Sequence, residues 1–382
     1  MARRLPLDYA VRNLGRRPLR TALTAVSCAL VAALLVATAA FVRGLERTFA
    51  GAARDDTAIL LSVAAQRDVV RSAVPAGLVE LVPASVRGVE AVSPEIHMGT
   101  RVRLGGADGP ARQAFVRGVT PGAYAVHGAV TLTEGRLPGP GELIAGRLAA
   151  SQMDAPEEAL TPGSRIALEG AEFEVVGRFA APGTTLEAEL WTPLEPLRGL
   201  VQRDDDSVLF VKMESPGELR WLDLFTKQRL DLELVMIPSA VYYRELTDYF
   251  APIRSLAWVL AALIAAAALF GGANTLNAAV HDRRRELATL RAVGYSGTAL
   301  ALSLAQESIL LACAGGALGV ALARLVLAGG AVRIAMSAFS LELDAVAVLV
   351  GIVGAFLLGL LGAGPAVWRV VRLPISAALR DG

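Results

Sequence analysis

Residues 282–294, DRRRELATLRAVG, place Arg283, Arg284, Arg285 and Arg291 around an apolar helical stripe, between two long apolar stretches, the second carrying the single charge Glu307. Two kinds of work suit these residue types. Arginines beside a membrane segment hold it on the cytoplasmic side. Alternatively, the stretch is a short docking helix, with Asp282 as N-cap, Leu287, Leu290 and Val293 on one face and Gly294 as its stop. Such a helix, apolar on one side and cationic elsewhere, would insert its leucines into a groove of a cytoplasmic partner. The residues alone leave both readings open.

Other chemistry is sparse. Nucleotide hydrolysis by a P-loop needs Gly-x-x-x-x-Gly-Lys-Ser/Thr, and neither lysine, Lys212 or Lys227, stands in that setting. His97, His127 and His281 are far apart in sequence and are read as structural or solvated. Cys28 and Cys313 both lie in apolar runs, so disulfides are not expected to hold the polar middle of the chain. The run Asp204–Asp206 reads as a solvated loop, since calcium sites need more ligands at defined spacing. No Ser-His-Asp set, carboxylate pair or metal triad stands out, and catalysis by this chain is not expected. Glu307 sits inside an apolar stretch, where a carboxylate is costly and suggests function. A partner arginine from the N-terminal segment, or a packing network, would satisfy it.

The elements around these residues are those of an α-helical membrane protein. Of 382 residues, 54% are hydrophobic and only 19% charged, against about 25% charged in soluble proteins. A spanning helix needs about 20 apolar residues, and residues 21–43, 254–280, 298–323 and 345–368 meet that length. The first is too long for the apolar part of a signal peptide and is read as a retained span. Net charge is +1, which gives no footprint for nucleic acid.

Arginine counting orients the spans. Residues 1–20 hold six arginines, the loop 281–297 holds four and the tail 369–382 holds three. The short loop 324–344 has Arg324 and Arg333 balanced by Glu342 and Asp344. Residues 1–20, 281–297 and 369–382 are therefore expected to be cytoplasmic, with 324–344 a short external loop. The fold class is then four transmembrane helices plus a mixed α/β extracytoplasmic domain, residues 44–253, inserted between the first and second. Within it, the stretches from Thr100 and Ser164 each alternate around a turn, and SVLFVKM from Ser207 reads as a strand. Residues 66–87 and 216–230 read as helices, and the stretch from Pro238 as a helix leading into the second span.

RRRELATLRAVGYS, followed by a span carrying Glu307 and Ser308 and then GGALG at Gly315–Gly319, resembles the FtsX/MacB-type ABC transporter permease family. The ending GPAVWRVVRLPISAALRDG and the opening LDYAVRNLGRRPLRTALTAVSCAL are similar to that family's ends, and LTEGRLPGPGELIAGRLAA to part of its periplasmic core domain. The resemblance implies a dimeric permease, of like or unlike chains, working with a separate cytoplasmic ATPase. ATP and magnesium would be held by that ATPase, and no cofactor by this chain. It implies that loop 281–297 is a coupling helix, with Arg283, Arg284, Arg285, Glu286, Leu287, Leu290, Arg291 and Gly294 facing or shaping the ATPase contact. Glu307 would have a packing or coupling role. Gly315 and Gly319, spaced as small-xxx-small, would serve helix packing in lipid. The work would be export, or mechanical work on an external substrate or partner, and an adaptor stays open. The competing readings are a non-transporting sensor or scaffold with an external ligand, and a membrane-anchored enzyme.

Overall fold

The computed structural model describes residues 7–16, 18–334, 337–341 and 343–372. The closing residues Pro374, Ile375, Ala378, Leu379 and Arg380, and residues 1–6 of the N-terminal segment, lie outside them. The chain opens with α1 (Leu7–Arg16) and α2 (Pro18–Ala52). It continues through β1 (Thr57–Ser62), β2 (Val74–Pro75), α3 (Leu78–Ser85), β3 (Val89–Leu104) and β4 (Ala111–Val119). Next are α4 (Gly122–Val126), β5 (Thr131–Gly135), β6 (Glu142–Gly146), α5 (Ala149–Gln152), β7 (Arg165–Leu168) and β8 (Ala171–Ala180). Then come β9 (Leu190–Pro193), α6 (Leu194–Leu200), β10 (Asp205–Asp206), β11 (Val208–Met213), α7 (Leu219–Gln228) and β12 (Leu234–Pro238). The described chain ends with α8 (Ser239–Tyr249), α9 (Ala251–Asp282), α10 (Arg284–Ala292), α11 (Gly297–Leu327), β13 (Ala331–Ile334), β14 (Ser337–Ser340) and α12 (Ala345–Val371).

The chain divides into two compact units. One draws on Met1–Arg43, Pro252–Ala328 and Glu342–Gly382, the other on Gly44–Ala251 and Gly329–Leu341. Four helices are long and apolar enough to cross a membrane: Thr21–Ala52, Ala251–Asp282, Gly297–Leu327 and Ala345–Val371. In this helical unit α11 packs on α2 through small residues. A Cβ added to Gly315 would stand 2.5 Å from Cys28 Cβ, and one on Gly319 2.6 Å from Ala32 Cβ. The glycines thus let two backbones approach within one chain. The alanines of α2 (Ala29, Ala32, Ala39, Ala40) are buried on that side, while Leu19, Leu23, Val26 and Leu30 are exposed. Along α9 only Ala261 and Val280 are buried.

The second unit is built on a ten-stranded mixed sheet, ordered β12-β1-β11-β3-β4-β9-β6-β8-β5, with β7 bridging β3 and β8. Strand β3 is long enough to serve two cores. Its first half pairs with β11 and its second half with β4 and β7. One core, with Leu60, Leu78, Val82, Leu209, Leu222 and Phe225, lies under α3 and α7. The other gathers Ile96, Val116, Leu143, Ile166, Leu190 and Leu197. At the β7–β8 turn Glu169 and Gly170 both have positive φ, 48° and 83°; two such residues match the twist of a tight hairpin.

Some expectations change. Residues 66–87 are helical only over Leu78–Ser85. Upstream, Gln66 and Arg67 take positive φ, and Asp68 Oδ1 accepts the Val70 N–H at 2.9 Å, a local turn that competes with helix. Loop 324–344 is also more than a connection. Its β13–β14 hairpin buries Ala338 against Leu148 and Ala188 of the sheet unit, and Phe339 lies on Gly44.

Candidate functional site

Helix α10 follows α9 with almost no break. Asp282 ends α9 instead of capping α10, and Arg283, at φ −107° and ψ 14°, takes the N-cap position without a side-chain cap. At the other end the Gly294 N–H bonds to Arg291 O and the Tyr295 N–H to Leu290 O, each at 3.1 Å. Gly294 sits at φ +105°. This is the two-bond C-terminal stop that a residue with positive φ permits.

The leucine stripe faces inward. Leu287 and Ala288 are buried, and Leu287 and Leu290 pack with Val280, Leu300, Leu304, Ala366 and Val370 from α9, α11 and α12. Leu287 is thus covered by neighbours within this chain, and Leu290 is half-buried against the same cluster. Arg284, Arg285, Thr289, Ala292, Val293 and Gly294 are exposed instead, with Val293 at 61%. Arg291 is half-buried. The surface offered outward is a cationic face with Val293 as its one large apolar residue.

Arg283 points the other way, into the helices. Its side chain is 9% exposed. Its Nη1 donates to Glu307 Oε2 at 3.5 Å, its Nε to Glu286 Oε2 at 3.1 Å and its Nη2 to the Tyr9 hydroxyl at 3.2 Å. Tyr9 donates in turn to Glu286 Oε1 at 2.6 Å, and Arg16 stands 3.6 Å from the same oxygen. Asn13 Nδ2 donates to Glu307 Oε1. The arginine that neutralises Glu307 thus comes from loop 281–297, while α1 supplies an amide. Burial works to raise the Glu286 pKa, but the bonds from Tyr9 and Arg283 outweigh it and hold this carboxylate below its ordinary value. Burial, then the bond to Glu286, pushes the Tyr9 phenol upward, so it remains a donor. A cavity of about 60 Å³, lined by Asn13, Thr21, Thr24, Thr275, Arg283 and Glu307, adjoins the pair. One ionic network therefore joins α1, α10 and α11, and it has the chemistry of a fastening, without a nucleophile.

The sheet unit holds a second network, which sequence reading did not assemble. Glu95 is fully buried on β3. It accepts from Ser93 Oγ at 2.8 Å and contacts His97 Nε2 at 2.8 Å, His127 Nε2 at 2.7 Å and Arg117 Nη1 at 2.5 Å. Arg117 on β4 also donates through Nε and Nη2 to Glu189, both at 2.7 Å, and Trp191 Nε1 donates to Glu189 at 2.9 Å. Desolvation would raise the Glu95 pKa. His127, Arg117 and the imidazole bonds outweigh it and hold the carboxylate well below its ordinary range. Burial and the neighbouring Arg117 lower the pKa of His97. Geometry agrees, because His97 Nδ1 is buried with no hydrogen-bond partner. Protonating it would create an N–H with no acceptor. His97 and His127, far apart in sequence, are both buried and meet on one carboxylate. The alternation Ser93, Glu95, His97 on one strand face was the available signal. His281 is exposed.

Among the described residues no group of three His, Cys, Asp or Glu side chains is placed to hold a metal ion.

Comparison with known proteins gives two family matches. Residues 21–219 match the MacB-like periplasmic core domain, and residues 258–375 the FtsX-like permease C-terminal domain. Among solved structures, the chain is similar to the periplasmic region of MacB from Actinobacillus actinomycetemcomitans, with 13% identity, 50% of this chain and 92% of that one covered, and a TM-score of 0.39. The extracellular domain of the noncanonic ABC-type transporter YknZ from Gram-positive bacteria matches at 15% identity, with 47% and 99% covered and a TM-score of 0.37. A domain of a permease protein from Porphyromonas gingivalis matches at 18% identity, with 48% and 90% covered and a TM-score of 0.34. No curated protein matches the chain.

Proposed function

Because this chain belongs to the FtsX/MacB-type ABC transporter permease family, we propose that it is the membrane subunit on which a separate cytoplasmic ATPase acts through α10. Permeases of this family work with a cytoplasmic ABC ATPase. The observation that carries the reading is the division of labour on α10. Arg284, Arg285 and Val293 are exposed, whereas Leu287 and Arg283 are locked into the spans. A force applied to the outer face would reach α11 through the Arg283–Glu307 contact and α1 through Tyr9. ATP and magnesium would bind the ATPase.

In this reading the chain is an integral membrane protein with 1–20, 281–297 and 369–382 in the cytoplasm, where the arginines gather. Residues 44–253 lie outside, between the first and second spans, and take the work as export or as a change imposed on an external partner. The permease acts as a dimer. The test is capture of the source organism's ABC ATPases by the full chain in nanodiscs. Wild type should retain one of them in ATP, and the Arg284→Glu, Arg285→Glu double variant should retain at least tenfold less. Capture of no ATPase by wild type would sink the proposal.

A further inference from the structure

Two arginines on the sheet unit stand apart from the ion pairs that occupy most others there. Arg87, just beyond α3, has its Cζ 3.6 Å from the ring centroid of Trp221, and Arg220, beside that tryptophan on α7, has its Cζ at 4.9 Å. Both are exposed. Among the described residues no carboxylate pairs with either guanidinium. Glu218, the nearby acid, lies against Gly88. By contrast, Lys227 pairs with Asp223 and Arg229 with Asp231. The indole Nε1 of Trp221 is buried and lacks a hydrogen-bond partner.

Arg87 and Trp221 border a groove of about 410 Å³ between the end of α3 and α7, walled by Val86, Leu224 and Phe225 and flanked by the paired Arg229, while Arg220 lies outside the lining, one turn before Leu224. Arg220, Leu224 and Gln228 follow one another at i, i+4 and i+8, so they form one row along α7. Leu224 is 42% exposed and Leu230, just beyond, 77%. The row offers a cation, an apolar side chain and an amide in sequence. Stacking on an aromatic face holds a guanidinium plane in place without using its N–H donors. Two held guanidiniums with no internal counterion match planar carboxylates.

We propose that the α3–α7 groove is a docking site for an acidic segment of a partner protein. Carboxylates of that segment pair with Arg87 and Arg220, and an apolar residue between them seats beside Leu224 and Phe225. The charge complementarity selects an acidic partner, and a row of contacts along a helix suits a peptide chain. No groove residue belongs to the helical unit, so the inference stands or falls independently of ATPase coupling.

The test uses the full chain in phosphatidylcholine nanodiscs and a fluorescein-labelled octapeptide of alternating glutamate and leucine, read by anisotropy. The peptide should bind, its glutamine–leucine counterpart at least tenfold more weakly. The Arg87→Gln, Arg220→Gln double variant should lose at least tenfold in affinity, whereas Arg71→Gln, at an exposed arginine elsewhere on the unit, keeps it. Rising salt should weaken binding. Arg87 and Arg220 are both exposed, so the variants should retain the wild-type melting temperature. No binding, equal binding of the two peptides, or a double variant that binds normally would each overturn the proposal. Arginine-dependent binding of phosphatidylglycerol vesicles in place of the peptide would also overturn it and make a lipid surface the occupant.

Discussion

The two buried ionic networks solve the same electrostatic problem with different reach. In the sheet unit, Glu95, Arg117 and Glu189 sit at 0–6% side-chain exposure and are tied by short bonds between β3, β4 and the residue before β9. In the helical unit, Arg283 and Glu307 are 9% and 11% exposed, 3.5 Å apart, and bordered by a small cavity. The first is sealed among aromatic side chains, with His127 and Phe210 in edge contact at 4.7 Å between ring centroids. The second continues through Glu286 to Arg16 and the exposed face of α10. A sealed network organises a core. A network that reaches the surface can pass on what happens there.

That contrast is broken most severely by removing its central cation. Arg117→Ala leaves Glu95 and Glu189 buried together without their shared cation. It should cost about 3–5 kcal/mol, the scale for breaking a buried pair, measured by chemical unfolding of the full chain. Arg283→Ala, at the more open network, should cost less, about 1–3 kcal/mol, the range for an orphaned buried polar partner. The double variant Arg283→Gln, Glu307→Gln should recover part of that loss. If Arg283→Ala proved as damaging as Arg117→Ala, the two networks would not differ as described.

Next is the pH response of the sealed network. The unfolded His97 ring titrates near 6.5, and in the fold its pKa is lower. Between the two values the unfolded chain binds more protons, so stability falls as pH drops below about 6.5. Glu95, also held low, contributes stability that is lost only below its ordinary value of 4.5. Denaturation midpoints of wild type and His97→Gln between pH 7 and pH 5 should therefore separate, with the variant showing the shallower decline. Parallel curves would remove His97 as the cause. A smaller effect is expected at Gly294, where φ is +105°. Gly294→Ala should cost about 1–2 kcal/mol, the scale of forcing a Cβ into left-handed backbone, without altering the pH profile.

Legibility in the sequence follows the same division. The spans could be read because a bilayer demands long apolar runs, and α10 because its arginines interrupt them. Its leucines were recognised as a stripe, yet a stripe says nothing of what covers it, and here the cover is Val280, Leu300 and Val370 from the same chain. Glu307 was visible as a buried charge, but its arginine came from Arg283 instead of the N-terminal segment, a choice made by tertiary packing. The Glu95 network stayed hidden for a stronger reason. Arg117 is 22 residues from Glu95 and 72 from Glu189, and polar residues alternating along an antiparallel strand read as an ordinary solvent face. The β13–β14 hairpin was missed because so short a segment gains its order from Leu148 and Ala188.

In the proposed function, the outer face of α10 binds the ATPase while its inner face carries the motion inward. The most direct measurement is ATPase affinity for the full chain in nanodiscs, comparing wild type, Arg284→Glu with Arg285→Glu, and Arg283→Gln with Glu307→Gln. The account predicts that the outer pair loses at least tenfold in affinity at an unchanged melting temperature, and that the inner pair keeps wild-type affinity. Outer charge reversal that leaves binding intact, or inner substitutions that abolish it, would contradict the assignment of the two faces.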